Sequence, residues 1–477
     1  MILKRFYDEP LAQASFLLAD PLTHEAIVVD PNRDVDAYLQ AAAAEKLRIT
    51  AVTETHIHAD YCSGTRELAQ RAGATAYLSD TGDAAWKYGW ASEPNVKLVR
   101  EGDAIRVGSV RLDVLATPGH TPESLSFVVT DEAASAEPLG VLTGDFVFVG
   151  DVGRPDLLER AANMKGTMET GARTLHASLA RFRERLPAHL LLWPGHGPGS
   201  ACGKALGGLP VTTLAYERLT NWGLRAERAE DFVHQVLAGQ PEPPAYFRHM
   251  KRINKEGPPI LNGFREPPHL DDSNLPAALD RGDVVVDVRP TKDVLAGAVP
   301  GTLSIPVGGS FPTWAGWLLP YDRPLSLLAP DAARALAAVR QLAMIGLDRV
   351  SGWYGLGALA AWERARGPLA ITPSVEPREA FVRAQRGEVV LLDVRGAAEH
   401  ESGHVPGARH IPLGELAERA NELPRDRPLA LFCGGSTRSR IGVSVLRRAG
   451  FTQLFDQGGG FSAHAEAGLP VEAGNGA

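Results

Sequence analysis

The stretch Thr55-His-Ile-His-Ala-Asp-Tyr61 (THIHADY) closes an apolar run that starts at Ile49. The run ITAVTETHIH (Ile49–His58) reads as a strand that delivers His56 and His58 at its C-terminal end, with Asp60 at the same spacing. The pattern recurs downstream. VRLDVLATPGHT (Val110–Thr121) ends on His120, LGVLTGDFVF (Leu139–Phe148) holds Asp145, and WPGHG holds His196. Each of these groups follows an apolar run. Acid and imidazole groups at strand ends sit on a rigid scaffold, while the loops leave coordination positions open. The set predicts a metal site. Upstream, EAIVVDP (Glu25–Pro31) reads as a buried strand and VDAYLQAAAAEKL (Val35–Leu47) as a helix.

A chain of 477 residues exceeds one core, so two to four domains are expected. Hydrophobic residues make up 44% and charged residues 22%, an ordinary globular balance. The formal net charge of −8 argues against a nucleic-acid or anionic-membrane partner. No apolar run is long enough for a transmembrane helix, and MILKRFYDEPLAQASFLLAD lacks the pattern of a signal peptide. The three cysteines, Cys62, Cys202 and Cys433, are too few for a disulfide framework and fit a cytoplasmic protein. Cys62, beside Tyr61, is expected to be buried and inert.

Residues 1–240 are expected to form the metal-binding domain and 241–272 a Pro/Gly-rich linker. The linker reads as a solvated connector, or as a segment that folds back to lend Arg248, Lys251 and Arg252 to an active site. An internal repeat follows. VVVDVRP (Val284–Pro290) matches VLLDVRG (Val390–Gly396), and GAVPGTLSIPVG (Gly297–Gly308) matches GHVPGARHIPLG (Gly403–Gly414). DRPLSLLAPDAAR (Asp322–Arg334) matches DRPLALFCGGSTR (Asp426–Arg438). Two homologous α/β domains, 273–368 and 374–474, are expected, each a small parallel sheet flanked by helices. The aromatic insert FPTWAGWLLPY (Phe311–Tyr321) is expected to pack on a neighbouring domain.

LALFCGGSTRSRIGVSVLRRAG reads as strand, turn and helix, with Cys433 ending the strand. Gly434 and Gly435 permit a tight nest of N–H groups, and the helix adds its positive end, so Cys433 is expected to be held as a thiolate. This stretch, with DVRGAAEHESGHVPGARHIPL, resembles the rhodanese family over the whole final domain. The resemblance implies that Cys433 carries a sulfane sulfur as a persulfide, inside the loop Gly434, Gly435, Ser436, Thr437 and Arg438. Phosphatases on the same fold use a loop one residue longer; the four residues between Cys433 and Arg438 suit a single sulfur atom. The first repeat has Ala329 where the second has Cys433, with Arg334 matching Arg438, and resembles an inactive rhodanese domain.

Residues 1–240 resemble the metallo-β-lactamase superfamily, which implies an αββα sandwich. Its hydrolases usually place a histidine after the Asp, where this chain has Tyr61. A phenol, with an ordinary pKa near 10, is a poor metal ligand at neutral pH, so a second metal is disfavoured. Two imidazoles and one carboxylate with open positions suit non-haem Fe(II) and oxygen. TGDFVFVGDVGRPDL (Thr143–Leu157) resembles the persulfide dioxygenase branch. The branch implies His56, His120 and Asp145 as ligands to one Fe(II) per chain. It makes His58, Asp60, Tyr61 and His196 surrounding residues that orient them. Cys202 is then either a loop thiol without a role or a relay for a persulfide sulfur at the pocket mouth.

The whole chain resembles a bacterial fusion of a persulfide dioxygenase with two rhodanese domains. The resemblance implies oxidation of a small thiol persulfide by O₂ to sulfite. Sulfur transfer through Cys433 then gives thiosulfate, a route of sulfide detoxification. Glutathione, coenzyme A and other small thiols all fit as carrier, and a homo-oligomer is expected. The alternative is a glyoxalase II-like zinc thioester hydrolase fused to a sulfurtransferase.

Overall fold

The computed structural model describes residues 1–160, 166–240 and 242–473. The first residue of the expected linker and the last of the expected final domain lie outside the described residues. The chain divides into two compact units, Met1–Phe264 with Arg340–Leu347, and Arg265–Val339 with Asp348–Ala477.

In the first unit, two six-stranded sheets face each other. One runs, in spatial order, Ile2–Asp8, Gln13–Asp20, Glu25–Val29, Arg48–Thr53, Thr75–Ser79 and Val96–Val99. The other runs Thr212–Thr213, Leu191–Pro194, Gly140–Gly144, Leu125–Asp131, Val110–Ala116 and Ala104–Val107. Phe16, Leu18, Ile27 and Val29 of one sheet meet Leu112, Phe127, Leu142 and Trp193 of the other in a shared core. On the outer face of the first sheet, Val35, Tyr38, Leu68 and Ala69 come from two helices. On the outer face of the second, Ala172, Leu175, Leu179 and Phe182 come from helix Thr167–Arg185. Helix layer, two sheets and helix layer make an αββα sandwich. Its inner strands are buried on both faces, which is why Gln13–Asp20 is buried throughout instead of alternating.

Two elements differ from the sequence reading. The strand expected to reach His58 stops at Thr53. The Asp30 carboxylate captures the Thr55 N–H at 2.6 Å and turns the chain out of the sheet, so both histidines lie in the loop that follows. The Pro/Gly-rich stretch contains a helix, Phe247–Glu256, with Phe247, Met250 and Asn254 buried against the first unit. A plain solvated connector is therefore not what those residues form. Lys251 lies 3.6 Å over the Trp86 ring.

The second unit holds two parallel sheets. The first orders Leu303–Ser304, Val284–Asp287, Leu325–Leu328 and Val350–Tyr354; the second orders Ser374–Val375, Leu454–Gln457, Leu429–Phe432, Val390–Asp393 and Arg409–His410. The internal repeat reappears as duplicated chemistry. The Arg289 guanidinium binds the Asp287 carboxylate at 2.6 Å and Gly297 O at 2.9 Å. Arg395 binds Asp393 at 2.7 Å and Gly403 O at 2.8 Å. These buried pairs fix the turns after strands Val284–Asp287 and Val390–Asp393, and each is hydrogen-bonded beyond its ion pair, as burial of charge requires. The aromatic insert forms helix Phe311–Leu318, and Trp317 lies so close to Gly414 that a Cβ there would meet its ring at 2.6 Å. Among the described residues no helix is long and apolar enough to cross a membrane.

Candidate functional site

Three buried groups converge where the sheets of the first unit open into loops. His56 Nε2, His120 Nε2 and a carboxylate oxygen of Asp145 lie within 4.8 Å of one another. Asp145 Oδ2 is 3.9 Å from His56 Nε2 and 3.7 Å from His120 Nε2. Hydrogen bonding fixes which atoms face inward. Thr55 Oγ1 donates to Asp30 at 3.0 Å, so its contact with His56 Nδ1 at 2.9 Å is one in which the ring donates. His120 Nδ1 donates to Arg154 O at 2.8 Å. Each Nε2 is thereby left with its lone pair toward the centre. Both His56 Nε2 and Asp145 Oδ2 are buried without a hydrogen-bond partner. Buried polar atoms are almost always satisfied, so convergent lone pairs without donors fit a cation.

The electrostatics agree. Burial, reinforced by the neighbouring His58, holds the His56 imidazolium well below its ordinary range, and burial lowers His120. Both rings are neutral, as metal ligands must be. Burial alone would raise the Asp145 carboxyl. The His196 charge and hydrogen bond outweigh it and hold the group ionised, well below the usual carboxylate range.

The surrounding residues take distinct parts. His196 bridges two carboxylates, Nδ1 to Asp145 Oδ1 at 2.6 Å and Nε2 to Asp60 Oδ2 at 2.7 Å. Burial opposes its charge, but the two carboxylates raise it well above the ordinary histidine value. His58 Nε2 lies 3.2 Å from Asp30 Oδ1. The Tyr61 ring lies beside His58, centroids 4.4 Å apart. Its hydroxyl donates to Asp30 O at 3.2 Å, and burial pushes the phenol well above its ordinary pKa. Cys202 is buried, not at a mouth, and groups with Asp60 and His196. Burial, then Asp60 and Asp145, keeps its thiol protonated. Cys62 is buried.

Sequence reading noted Arg154 only as part of a run. The fully buried guanidinium makes a two-pronged pair with Asp156 at 2.7 Å each and donates to Ala201 O at 3.0 Å. Its own carbonyl orients His120, so one residue ties the His120, Asp156 and Cys202 loops together. Gly153 is equally constrained. A Cβ there would fall 1.8 Å from Asp145 O and 3.1 Å from His120 Cβ. Gly153→Ala is expected to cost about 3 kcal/mol by overpacking and to push two converging groups apart. A thermal melt with metal counted per chain checks it, and wild-type values for both would contradict it.

The second unit carries the other centre. Cys433 ends strand Leu429–Phe432 and is buried. The Ser436 N–H donates to its Sγ at 3.0 Å, and Ser439 Oγ lies 3.9 Å away. Ser436 has φ +106°, unusual for a residue with a side chain, and stands immediately before helix Thr437–Arg448. That local strain turns the loop amide onto the sulfur. Ser439 is itself fixed by Asp456 at 2.8 Å. The Arg438 guanidinium is engaged by both Glu399 oxygens, a partner that sequence reading missed. In the first repeat, Ala329 occupies the cysteine position, and Arg334 instead donates to Val288 O and Val307 O at 3.0 and 3.1 Å. That loop offers neither nucleophile nor free guanidinium.

Each centre lies inside a stretch that matches a known family. The metallo-beta-lactamase superfamily model matches residues 8–196 and the rhodanese-like domain model residues 377–467. A crystal structure of a metallo-beta-lactamase from Staphylococcus aureus subsp. aureus COL is 37% identical; it covers 74% of this chain and 98% of its own, with TM-score 0.66. Mouse mitochondrial persulfide dioxygenase ETHE1 is 27% identical over 46% of this chain and 75% of its own length. The uncharacterized Bacillus subtilis protein YqhL is 43% identical over 17% of this chain, which spans 63% of YqhL. With its αββα sandwich, its His–His–Asp centre and a structural relative matched over nearly its whole length, this chain belongs to the metallo-β-lactamase superfamily, is homologous to persulfide dioxygenases, and carries a rhodanese-like domain after that fold.

Proposed function

We propose that the chain oxidises a small thiol persulfide with O₂ to sulfite and the free thiol, and that Cys433 transfers sulfane sulfur to or from that chemistry. The observation that carries this reading is the trio His56, His120 and Asp145. It offers two neutral imidazoles and one carboxylate, mutually facing and without hydrogen-bond donors between them. That donor set fits a single Fe(II) with open positions, and such an ion supplies O₂ activation when bound. The protein's part is orientation. Thr55 and the Arg154 carbonyl fix the two rings, and His196 holds Asp145 ionised with one oxygen free. Persulfide and O₂ held side by side replace a bimolecular encounter.

The reaction balances as R–S–SH + O₂ + H₂O → R–SH + SO₃²⁻ + 2 H⁺. The terminal sulfur loses four electrons and O₂ takes up four. Sulfite then attacks a Cys433 persulfide, breaking its S–S bond to give thiosulfate and the Cys433 thiol. A second R–S–SH loads Cys433, its terminal sulfur passing to the thiolate as R–SH leaves; run in reverse from thiosulfate, the same loop returns persulfide sulfur to the metal centre.

Oxygen uptake by the iron-loaded full chain on adding glutathione persulfide or coenzyme A persulfide tests this, with metal counted. Uptake with about one iron per chain is expected, and the faster persulfide names the carrier class. A second reading, zinc thioester hydrolysis, draws support from the Asp60–His196–Cys202 cluster, which would supply a second metal's ligands. Against it, both His196 nitrogens already bind carboxylates and the Tyr61 hydroxyl is engaged by the Asp30 carbonyl. Two zinc ions per chain and no O₂ uptake would favour the hydrolase.

A further inference from the structure

Between Glu54 and Gly64 the chain is neither helix nor ladder strand, yet it carries His56. Its peptide groups are therefore satisfied from outside the loop. The Ile57 N–H donates to Glu123 Oε1 at 2.8 Å, and the Cys62 N–H to Met344 O at 2.7 Å. Helix Phe247–Glu256 and the residue before it supply four more. Asn254 Nδ2 donates to His58 O and Tyr61 O, each at 2.8 Å, and Asn254 Oδ1 accepts the Ser63 N–H at 2.8 Å. The Tyr246 hydroxyl donates to Asp60 O at 2.9 Å. Asn254 is only 1% exposed and uses both amide protons and its oxygen. Two carbonyls on one side and an N–H on the other fix its orientation. Tyr61, turned toward Asp30, offers this side of the loop no metal bond.

We infer that Asn254, aided by Tyr246, is a positioning residue for the metal centre: it fixes the peptide planes on both sides of Asp60 and thereby the direction in which His56 faces His120 and Asp145. The inference rests on those three residues being the ligands. It gives the Pro/Gly-rich stretch a task other than lending cations. Outer residues that orient ligands are worth about ten- to a hundredfold in metal affinity.

The test is titration of the apo full-length protein with Co(II) against a chromophoric chelator, reading the dissociation constant and the visible cobalt bands. Asn254→Ala is expected to weaken cobalt binding about tenfold or more and to shift the bands. Asn254→Asp, which keeps the acceptor for Ser63 but sets an oxygen against two carbonyls, is expected to do no better. Met250→Ala removes packing from the same helix while leaving every hydrogen bond from Asn254 and Tyr246 to the loop in place. It should lower the melting temperature and leave the cobalt constant unchanged. Wild-type affinity and bands in Asn254→Ala would overturn the inference. Should that variant fail to fold, Tyr246→Phe decides: about threefold weaker binding supports the clamp, and an unchanged constant overturns it. Cobalt is read without O₂ or persulfide. A wild-type protein that consumes no O₂ would end the dioxygenase reading and leave the clamp standing.

Discussion

Cys433→Ser is expected to abolish sulfur transfer, by about 10⁴-fold or more, while O₂ uptake with a persulfide stays within about twofold of wild type. The reason is chemical. Serine cannot hold a sulfane sulfur, because an S–S bond requires sulfur on both sides. A hydroxyl would still accept the Ser436 N–H, so the loop should fold unchanged. The product then changes identity: sulfite accumulates where wild type makes thiosulfate. Chromatography of the two anions alongside an oxygen electrode reads both effects at once. Thiosulfate formed at the full rate by the variant would break the coupling between the two centres. The first repeat does not compensate, because Ala329 stands at the nucleophile position and Arg334 is tied to two carbonyls.

The legible parts of this protein were those written locally. His56, His120 and Asp145 each follow an apolar run, and a strand end followed by a polar loop is a short-range pattern. The repeat was legible because Asp-x-Arg after a Val/Leu-rich strand encodes a contact two residues long, which the structure shows as the Asp287–Arg289 and Asp393–Arg395 pairs. What escaped are contacts made across long stretches of chain. Asn254 reaches His58 from 196 positions away, and nothing in its own neighbourhood marks it. Its helix shows buried Phe247, Met250 and Asn254 at helical spacing, but flanking prolines and glycines masked the period. The strand ends at Thr53, short of His58, for a related reason. Asp30, just past the neighbouring strand Glu25–Val29 and 25 positions back in the chain, takes the Thr55 amide that sheet pairing would otherwise claim. Tyr61 stands out in the sequence as the residue after Asp60, but its partner, the Asp30 carbonyl, is visible only in three dimensions. The same holds for Glu399 on Arg438.

Asp145→Asn is the substitution with the second large expected effect, and it acts through one atom. The amide oxygen can replace Oδ1 and still accept from His196, whose Nδ1 lies 2.6 Å away. The amide nitrogen must then replace Oδ2, the oxygen that faces His56 Nε2 and His120 Nε2 at 3.9 and 3.7 Å. Two N–H donors would sit where a lone pair was, aimed at two lone pairs. The side chain's own protons then occupy the space that suits a cation, and the ligand set loses its one negative charge. Metal bound per chain is expected to fall from about one to below about a tenth, and persulfide-dependent O₂ uptake by about 10³-fold or more. His196 loses one of the two carboxylates that keep it charged, so its protonated form should become less favoured. Sulfur transfer through Cys433 should be untouched, since no atom of that loop changes. Metal analysis and the oxygen electrode read the first effects, and a sulfur-transfer assay from thiosulfate reads the last. A variant that kept its metal and its O₂ uptake would remove Asp145 from the ligand set. A variant that lost sulfur transfer as well would show that Cys433 works only when the metal centre does. In that case sulfite could not be a freely diffusing link between them.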